Sequence, residues 1–486
     1  MEPQHLRFGG GVGATVLHPL VALAVLLAGL LILFLPRHRA VMPFLAAAIL
    51  IPEDQILLVG GLHFPMLRIV ALFGMIRLLW TTSSSKTRLF RGGINKIDLA
   101  VILLATSTAI AGVLLFRQAA AIVYQTGALY EALGIYLTLR FLIRDEADID
   151  RALKTLAYIA AVVGVVMAIE QVTGSNPYAM LGGARASVYQ TVMERGDRFR
   201  ATGCFGHPIL AGTFGAVLPP LFIGLWLKDK KNRTTAIVGL AGATVMMITS
   251  ASSTPIMGYF AGLFALCLWP VRGMMRLFRW GIVATLVSLH MVMKAPVWNL
   301  IARVDVVGGS SAEHRYQLVN QFIRRFSEWW LFGTQSSGTW GWGMWDTANQ
   351  YVAVGVAGGL LAFVLFLTAI VQSFKFVGKA RRIAHTKKLQ LFFWALGAAL
   401  FANVVSFFGI SYFDQTMVGW YTLLAAISAA VLIPQHKPVA ATAAVDSADA
   451  LSPLALPVSF AGAEGESVAC DFGADSATSG PYPVTF

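Results

Sequence analysis

Long apolar runs of about 18–22 residues, separated by short polar stretches, dominate the chain as far as residue 433. They lack the strict alternation of half-buried strands, so each predicts a helix. The predicted spans are 19–36, 40–60, 65–80, 97–116, 118–139, 154–171, 207–227, 235–252, 254–271, 278–295, 350–374, 390–410 and 416–433. Pro52, Glu53 and Asp54 interrupt the second, which is either broken or re-entrant, so the count is twelve or thirteen. Two inter-span stretches are long and polar, 172–206 and 296–349. Residues 434–486 are rich in Ala, Ser, Gly and Pro and carry Asp446, Asp449, Glu464, Glu466, Asp471 and Asp475 against one lysine. That composition predicts a disordered acidic tail behind a helical domain at 1–433. No internal repeat or coiled-coil heptad stands out.

Composition agrees with the pattern. The chain is 57% hydrophobic and 13% charged, about half the charged share of a soluble domain. Spans in lipid must satisfy their own backbone, which selects helices for runs without alternation. The expectation is an all-α, polytopic transmembrane bundle surrounded by membrane lipids. The net charge is +13, and 21 of the 37 basic residues fall in five short stretches: Lys86–Lys96, Arg140–Lys154, Lys228–Arg233, Arg272–Arg279 and Lys375–Lys388. An even number of spans separates each from the next. The positive-inside rule therefore places all five, and the tail, in the cytoplasm and the two long loops outside; the orientation of the N-terminus hangs on the second span. Basic residues used this way do not imply a nucleic-acid partner. Cys204, Cys267 and Cys470 lie too far apart for a disulfide framework or a zinc site. Residues 1–18 lack the charged region and cleavage site of a strong signal peptide.

The chemistry concentrates in the outer loops. They hold Arg185, Arg195, Arg198, Arg200, Arg303, Arg315, Arg324 and Arg325 and no lysine. Guanidinium binds phosphate bidentately and stays charged, so an all-arginine surface suits a phosphate or diphosphate ligand; pairing with Glu194, Asp197, Asp305, Glu313 and Glu328 is the structural alternative. On a helical wheel of 311–330, Leu318, Val319, Phe322, Phe326, Trp329 and Trp330 fall within about 60° of Arg315. Glu313, Gln317, Asn320, Arg324 and Glu328 fall opposite. Arg315 thus points along the apolar stripe, either as a ligand-binding group or as half of an ion pair with Asp305 or Asp346. At 198–208 the glycines permit tight turns and Pro208 suits a helix start, whose free N–H groups attract anions. Arg200 stands beside that start, and His207 reads as a base or as a capping contact. Trp329, Trp330, Trp340, Trp342 and Trp345 are membrane-interface anchors or sugar platforms. Ser252, Ser253, Thr254 and Pro255 read as an external turn, and Glu131 and Glu170 as intramembrane acids that are functional or arginine-paired.

Three segments resemble the O-antigen ligase and polymerase superfamily of bacterial envelope proteins, over roughly residues 100–430. They are R-A-T-G-C-F-G-H-P at 200–208, the long loop with Arg315 opening an amphipathic helix, and D-T-A-N-Q-Y-V-A-V-G-V-A-G-G-L at 346–360. The resemblance implies a GT-C-like helical bundle in the bacterial inner membrane. It implies transfer of a glycan from an undecaprenyl-diphosphate donor to a glycan acceptor on the extracytoplasmic face. Arg200 and Arg315, with Arg198 beside them, carry over as diphosphate ligands. Asn349 and Tyr351 join Trp340, Trp342 and Trp345 as glycan contacts. The family's histidine before the Asn is Ala348 here, and Ile209 stands where an Asn is common, so the proton acceptor falls to Asp346 first and His314 next. The outer loops show no acidic pair or histidine cluster at metal-ligand spacing, so no metal or cofactor is expected. A glycolipid transporter, or a non-catalytic partner of a polysaccharide synthase, is the alternative reading.

Overall fold

The structure is a computed structural model. It describes residues 13–52, 54–84, 90–182, 193–195, 198–303 and 311–433, with backbone only at 84, 193–195, 198, 301–303 and 311. The acidic tail, Asp305 and the side chain of Arg198 lie outside the described residues.

The chain begins with helices α1 (Pro19–Phe34) and α2 (Arg37–Leu50), then a hairpin of β1 (Ile56–Val59) and β2 (Leu62–Pro65). Next come α3 (Met66–Ser84), α4 (Lys96–Phe116), α5 (Ala119–Leu142) and α6 (Glu146–Thr173). A second hairpin, β3 (Met193–Arg195) and β4 (Arg198–Arg200), leads to α7 (Pro208–Ala216), α8 (Pro219–Lys228), α9 (Arg233–Thr249) and α10 (Ser253–Cys267). The rest is α11 (Met275–Val292), α12 (Ser311–Arg324), the single turn α13 (Phe326–Trp329), α14 (Gln350–Ile383), α15 (Lys387–Ser406) and α16 (Gln415–Ala430). The described chain is mostly helical. Among the described residues, seven helical stretches are long and apolar enough to cross a membrane: α3, α4, α6, the α7–α8 pair, α11 with its leading turn, α14 and α15.

Local chemistry sets the boundaries. Asn95 accepts from the Ile97 and Asp98 N–H groups while Asp98 accepts from Asn95 N–H, a reciprocal cap on α4. Asp145 caps α6, so that helix begins at Glu146, a full two turns before the predicted 154. Pro52 ends the second apolar run early: α2 stops at Leu50, and 56–65 form a hairpin instead of the far half of a span. Pro219 and Pro220 remove backbone donors and divide the predicted span 207–227 into α7 and α8. Small residues bring α6 and α9 into backbone contact; a Cβ on Gly164 would lie 2.8 Å from the Gly242 carbonyl oxygen. By contrast, α11 buries none of its residues.

The basic stretches gather at one end. Arg140 donates to the Arg91 carbonyl and pairs with buried Asp98 at 3.1 Å. Lys228 reaches Glu146 at 2.7 Å and Asp150 at 2.6 Å. Arg272 lies over the Trp269 ring, which packs on Trp394, and Arg381 covers Trp394 in turn. Lys96 shares a cleft with Lys375, Lys379 and Arg382. The even spacing of these stretches along the sequence thus has its counterpart in space. The arginines of interest and the 250–254 turn lie at the other ends of these helices.

Candidate functional site

The site is built on the turn between α9 and α10, where the sequence runs Ser250-Ala251-Ser252-Ser253-Thr254. It joins two helices as the sequence suggests, and its residues are buried. The Ser252 hydroxyl is engaged within the turn and that of Thr254 by a neighbouring element. Ser252 Oγ donates to the Ser250 carbonyl at 2.8 Å, and Thr254 Oγ1 to the Gly409 carbonyl at 3.2 Å. Ser253 Oγ is buried with no hydrogen-bond partner among the described residues.

Arg200 reaches this turn from β4. Its Nη2 donates to Ser252 Oγ at 2.9 Å and its Nε to the Ser250 carbonyl at 3.4 Å. The backbone follows, with Ala201 N–H on the Thr249 carbonyl at 3.0 Å. The next residues are clasped by Glu170 at the end of α6, whose carboxylate accepts from Thr202 N–H at 2.9 Å and Gly203 N–H at 2.8 Å. Gly203 takes φ 59°, the left-handed region that glycine enters freely. Asn176 Nδ2 donates to Thr202 Oγ1 and the Gly203 carbonyl, and Gln415 Nε2 to the Cys204 carbonyl. Glu170 therefore holds the arginine-bearing loop through backbone N–H groups. Glu131 does pair with an arginine, Arg68, at 2.9 Å.

His207 caps α7, with Nδ1 accepting from Ile209 N–H at 3.1 Å. Burial, aided by the Arg200 charge, pushes its pKa down to about 4. The neutral ring then carries its proton on Nε2 and presents a donor, not a base.

Arg315 reaches the same turn from the opposite side. It is 6% exposed, and its Nη2 donates to Thr254 Oγ1 at 3.0 Å. Leu318 and Phe322 are buried on its face of α12, while Glu313 and Arg324 are exposed. The stripe holds as far as Phe322. The helix breaks at Arg325, which leaves Phe326 and Trp330 exposed while Trp329 stacks on Phe322 at 3.9 Å.

The third motif closes the back wall. Asn349 caps α14 by accepting from Tyr351 and Val352 N–H, and its Nδ2 donates to the Phe408 carbonyl. Gly409, next to that contact, holds Thr254. The three segments singled out in the sequence thus converge on one network: Arg200 through Ser252, Arg315 through Thr254, and Asn349 through 408–409.

Several expected contacts take other roles. Asn349 is buried with its amide engaged internally, and Tyr351 donates its hydroxyl to the Val404 carbonyl among Phe366, Phe407 and Phe408. Neither offers itself to a sugar. Trp340 is 3% exposed and bound to Glu328, so it too is structural. Trp342 and Trp345 are 99% and 77% exposed and keep open ring faces. Asp346 is exposed and does not cap α14, a role that Asn349 fills. The structure does join Asp346 to His314, through its main chain: His314 Nε2 lies 3.1 Å from the Asp346 carbonyl oxygen. A carbonyl only accepts, so Nε2 carries the proton and Nδ1 keeps its lone pair. Gly343 leaves that ring edge uncovered, since a Cβ there would come no nearer than 3.7 Å. Ala348, two residues further along the chain, is buried.

Among the described residues no group of three or more His, Cys, Asp or Glu side chains is placed to hold a metal ion. The chain matches no protein-family model and no curated protein by sequence.

Proposed function

We propose that the chain spans the bacterial inner membrane as a GT-C-like bundle and transfers a glycan from an undecaprenyl-diphosphate donor to an acceptor on the extracytoplasmic face. The observation that carries this reading is the convergence of Arg200 and Arg315, from distant segments, on hydroxyls two residues apart in one buried turn. Two fixed guanidinium groups beside the α7 and α10 helix starts suit an anionic diphosphate. They stabilise the charge that develops on it as the glycosidic bond breaks. The neutral His207 offers a further donor through Nε2.

For the proton, His314 replaces Asp346 as first choice. As the acceptor hydroxyl forms its bond to the anomeric carbon, its proton passes to His314 Nδ1, the C–O bond to the diphosphate breaks, and the diphosphate leaves with the electron pair. The Asp346 carbonyl holds the imidazole in the required tautomer. Exposed Trp342 and Trp345 provide stacking faces for sugar rings.

The test is glycan transfer by the purified protein from a lipid-linked donor, with and without EDTA. Product formation in EDTA is the expected result. Transfer that stops on chelation and returns with magnesium would remove the metal-independent mechanism. The buried Ala348 favours a second reading, a non-catalytic partner of a polysaccharide synthase, and that reading expects donor binding without product.

A further inference from the structure

A separate cleft opens at the basic end of the bundle, between the start of α4 and the end of α14, with a volume of about 620 Å³. Positions 372, 375, 376, 379 and 382 line it from one face of α14, at the spacing that stacks side chains along a helix. Lys375, Lys379 and Arg382 come from that face and Lys96 from α4; among the described residues no acidic one lines the cleft. Asn95 also faces it. Its carbonyl oxygen is spent on capping α4, while its Nδ2 is buried without a hydrogen-bond partner among the described residues. Leu99 and Phe376 supply an apolar wall below the charges.

Length places this cleft at headgroup depth. Beyond its break at Gly359, α14 runs unbroken from Leu360 to Ile383 and extends about 36 Å, against a hydrocarbon core of about 30 Å. Its last turn therefore projects past the acyl region, and α4 begins at the same level. Four cations above an apolar wall match a phosphate headgroup with its acyl chains, not a soluble anion. We propose that the cleft is a binding site for an anionic glycerophospholipid of the leaflet at the basic end. This rests on the membrane-spanning reading but not on glycan transfer.

The full-length protein in detergent micelles is titrated with phosphatidylglycerol and, separately, phosphatidylcholine, and bound lipid is read by native mass spectrometry. Tighter binding of phosphatidylglycerol is expected. Each basic residue near an anionic headgroup is worth about fivefold. Lys375→Gln, Lys379→Gln and Arg382→Gln combined therefore weaken it by about a hundredfold, whereas Lys230→Gln with Lys231→Gln leaves it unchanged. Equal effects of the two sets would overturn the site, as would displacement of the lipid by glycerophosphoglycerol or inorganic phosphate at equal concentration. If the triple variant aggregates, Lys379→Gln alone decides: a loss of about fivefold supports the site, and unchanged affinity removes it. Binding is measured without donor or acceptor, so its failure is distinct from failure of the transferase reading.

Discussion

Arg315 and Arg324 share one helix and differ in what surrounds them: the first is buried on Thr254, the second faces outward. A buried guanidinium that grips a diphosphate loses its bidentate geometry when replaced by lysine, although the charge remains. Arg315→Lys is expected to lower transfer by about a hundredfold, the worth of one well-placed transition-state donor, while Arg324→Ala leaves the rate within about twofold. Equal tolerance at both positions would remove Arg315 from the proposed diphosphate site. His207 provides a second test at this scale. Its folded pKa of about 4 lies below the ordinary 6.5, so between those values the unfolded chain takes up a proton that the fold refuses. Its contribution to stability is complete above pH 6.5 and declines as pH falls toward 4. His207→Asn keeps a capping oxygen without the titration, and thermal unfolding of the detergent-solubilised variant is expected to vary less over that window than wild type.

Elements carry the site through their interruptions as much as their regular turns. Helix α14 is broken at Gly359, with φ 72°. The break frees Leu360 N–H to donate to the Trp330 carbonyl at 2.8 Å, while the Val356 carbonyl accepts from Thr334 N–H at 2.9 Å. Through these bonds the segment following α12 and α13 is docked on the bundle, which steadies the helix that bears Arg315. Gly359→Ala forces an alanine into a backbone region, φ 72° and ψ -169°, that essentially only glycine adopts, a cost of about 1–3 kcal/mol, and sets its Cβ against the Leu331 backbone. A clear fall in the melting temperature of the purified protein is expected; an unchanged value would mean the break is not a constraint. The amphipathic stripe of α12 was legible as periodicity up to Phe322. Its continuation to Trp330 was not, because periodicity assumes an unbroken helix and nothing in the residues around Arg325 announces the break.

At the scale of the whole molecule, five basic stretches meet at one end and the arginine-bearing turn lies at the other. With Cys267 and Cys470 replaced by serine, Trp342→Cys is expected to react with an impermeant thiol reagent in intact cells, and Lys388→Cys only after permeabilisation; both positions are exposed. The reverse pattern would invert the topology and move the proposed chemistry to the cytoplasm. The amino-acid sequence by itself determined most of the helices and the grouping of basic residues, and it singled out Arg200 and Arg315, which the structure brings to one turn. These follow from local properties: apolar run length, charge placement and helical periodicity. What only the tertiary structure decided is which polar groups are still available. Asn349 and Tyr351 are consumed by partners remote in the chain and Trp340 by Glu328, Glu170 is spent on two backbone N–H groups, and the serine turn is buried as the common anchor of Arg200 and Arg315. Hydrogen bonds saturate, and their partners come from helices distant along the chain, so sequence spacing registers the presence of a polar group but not its prior commitment.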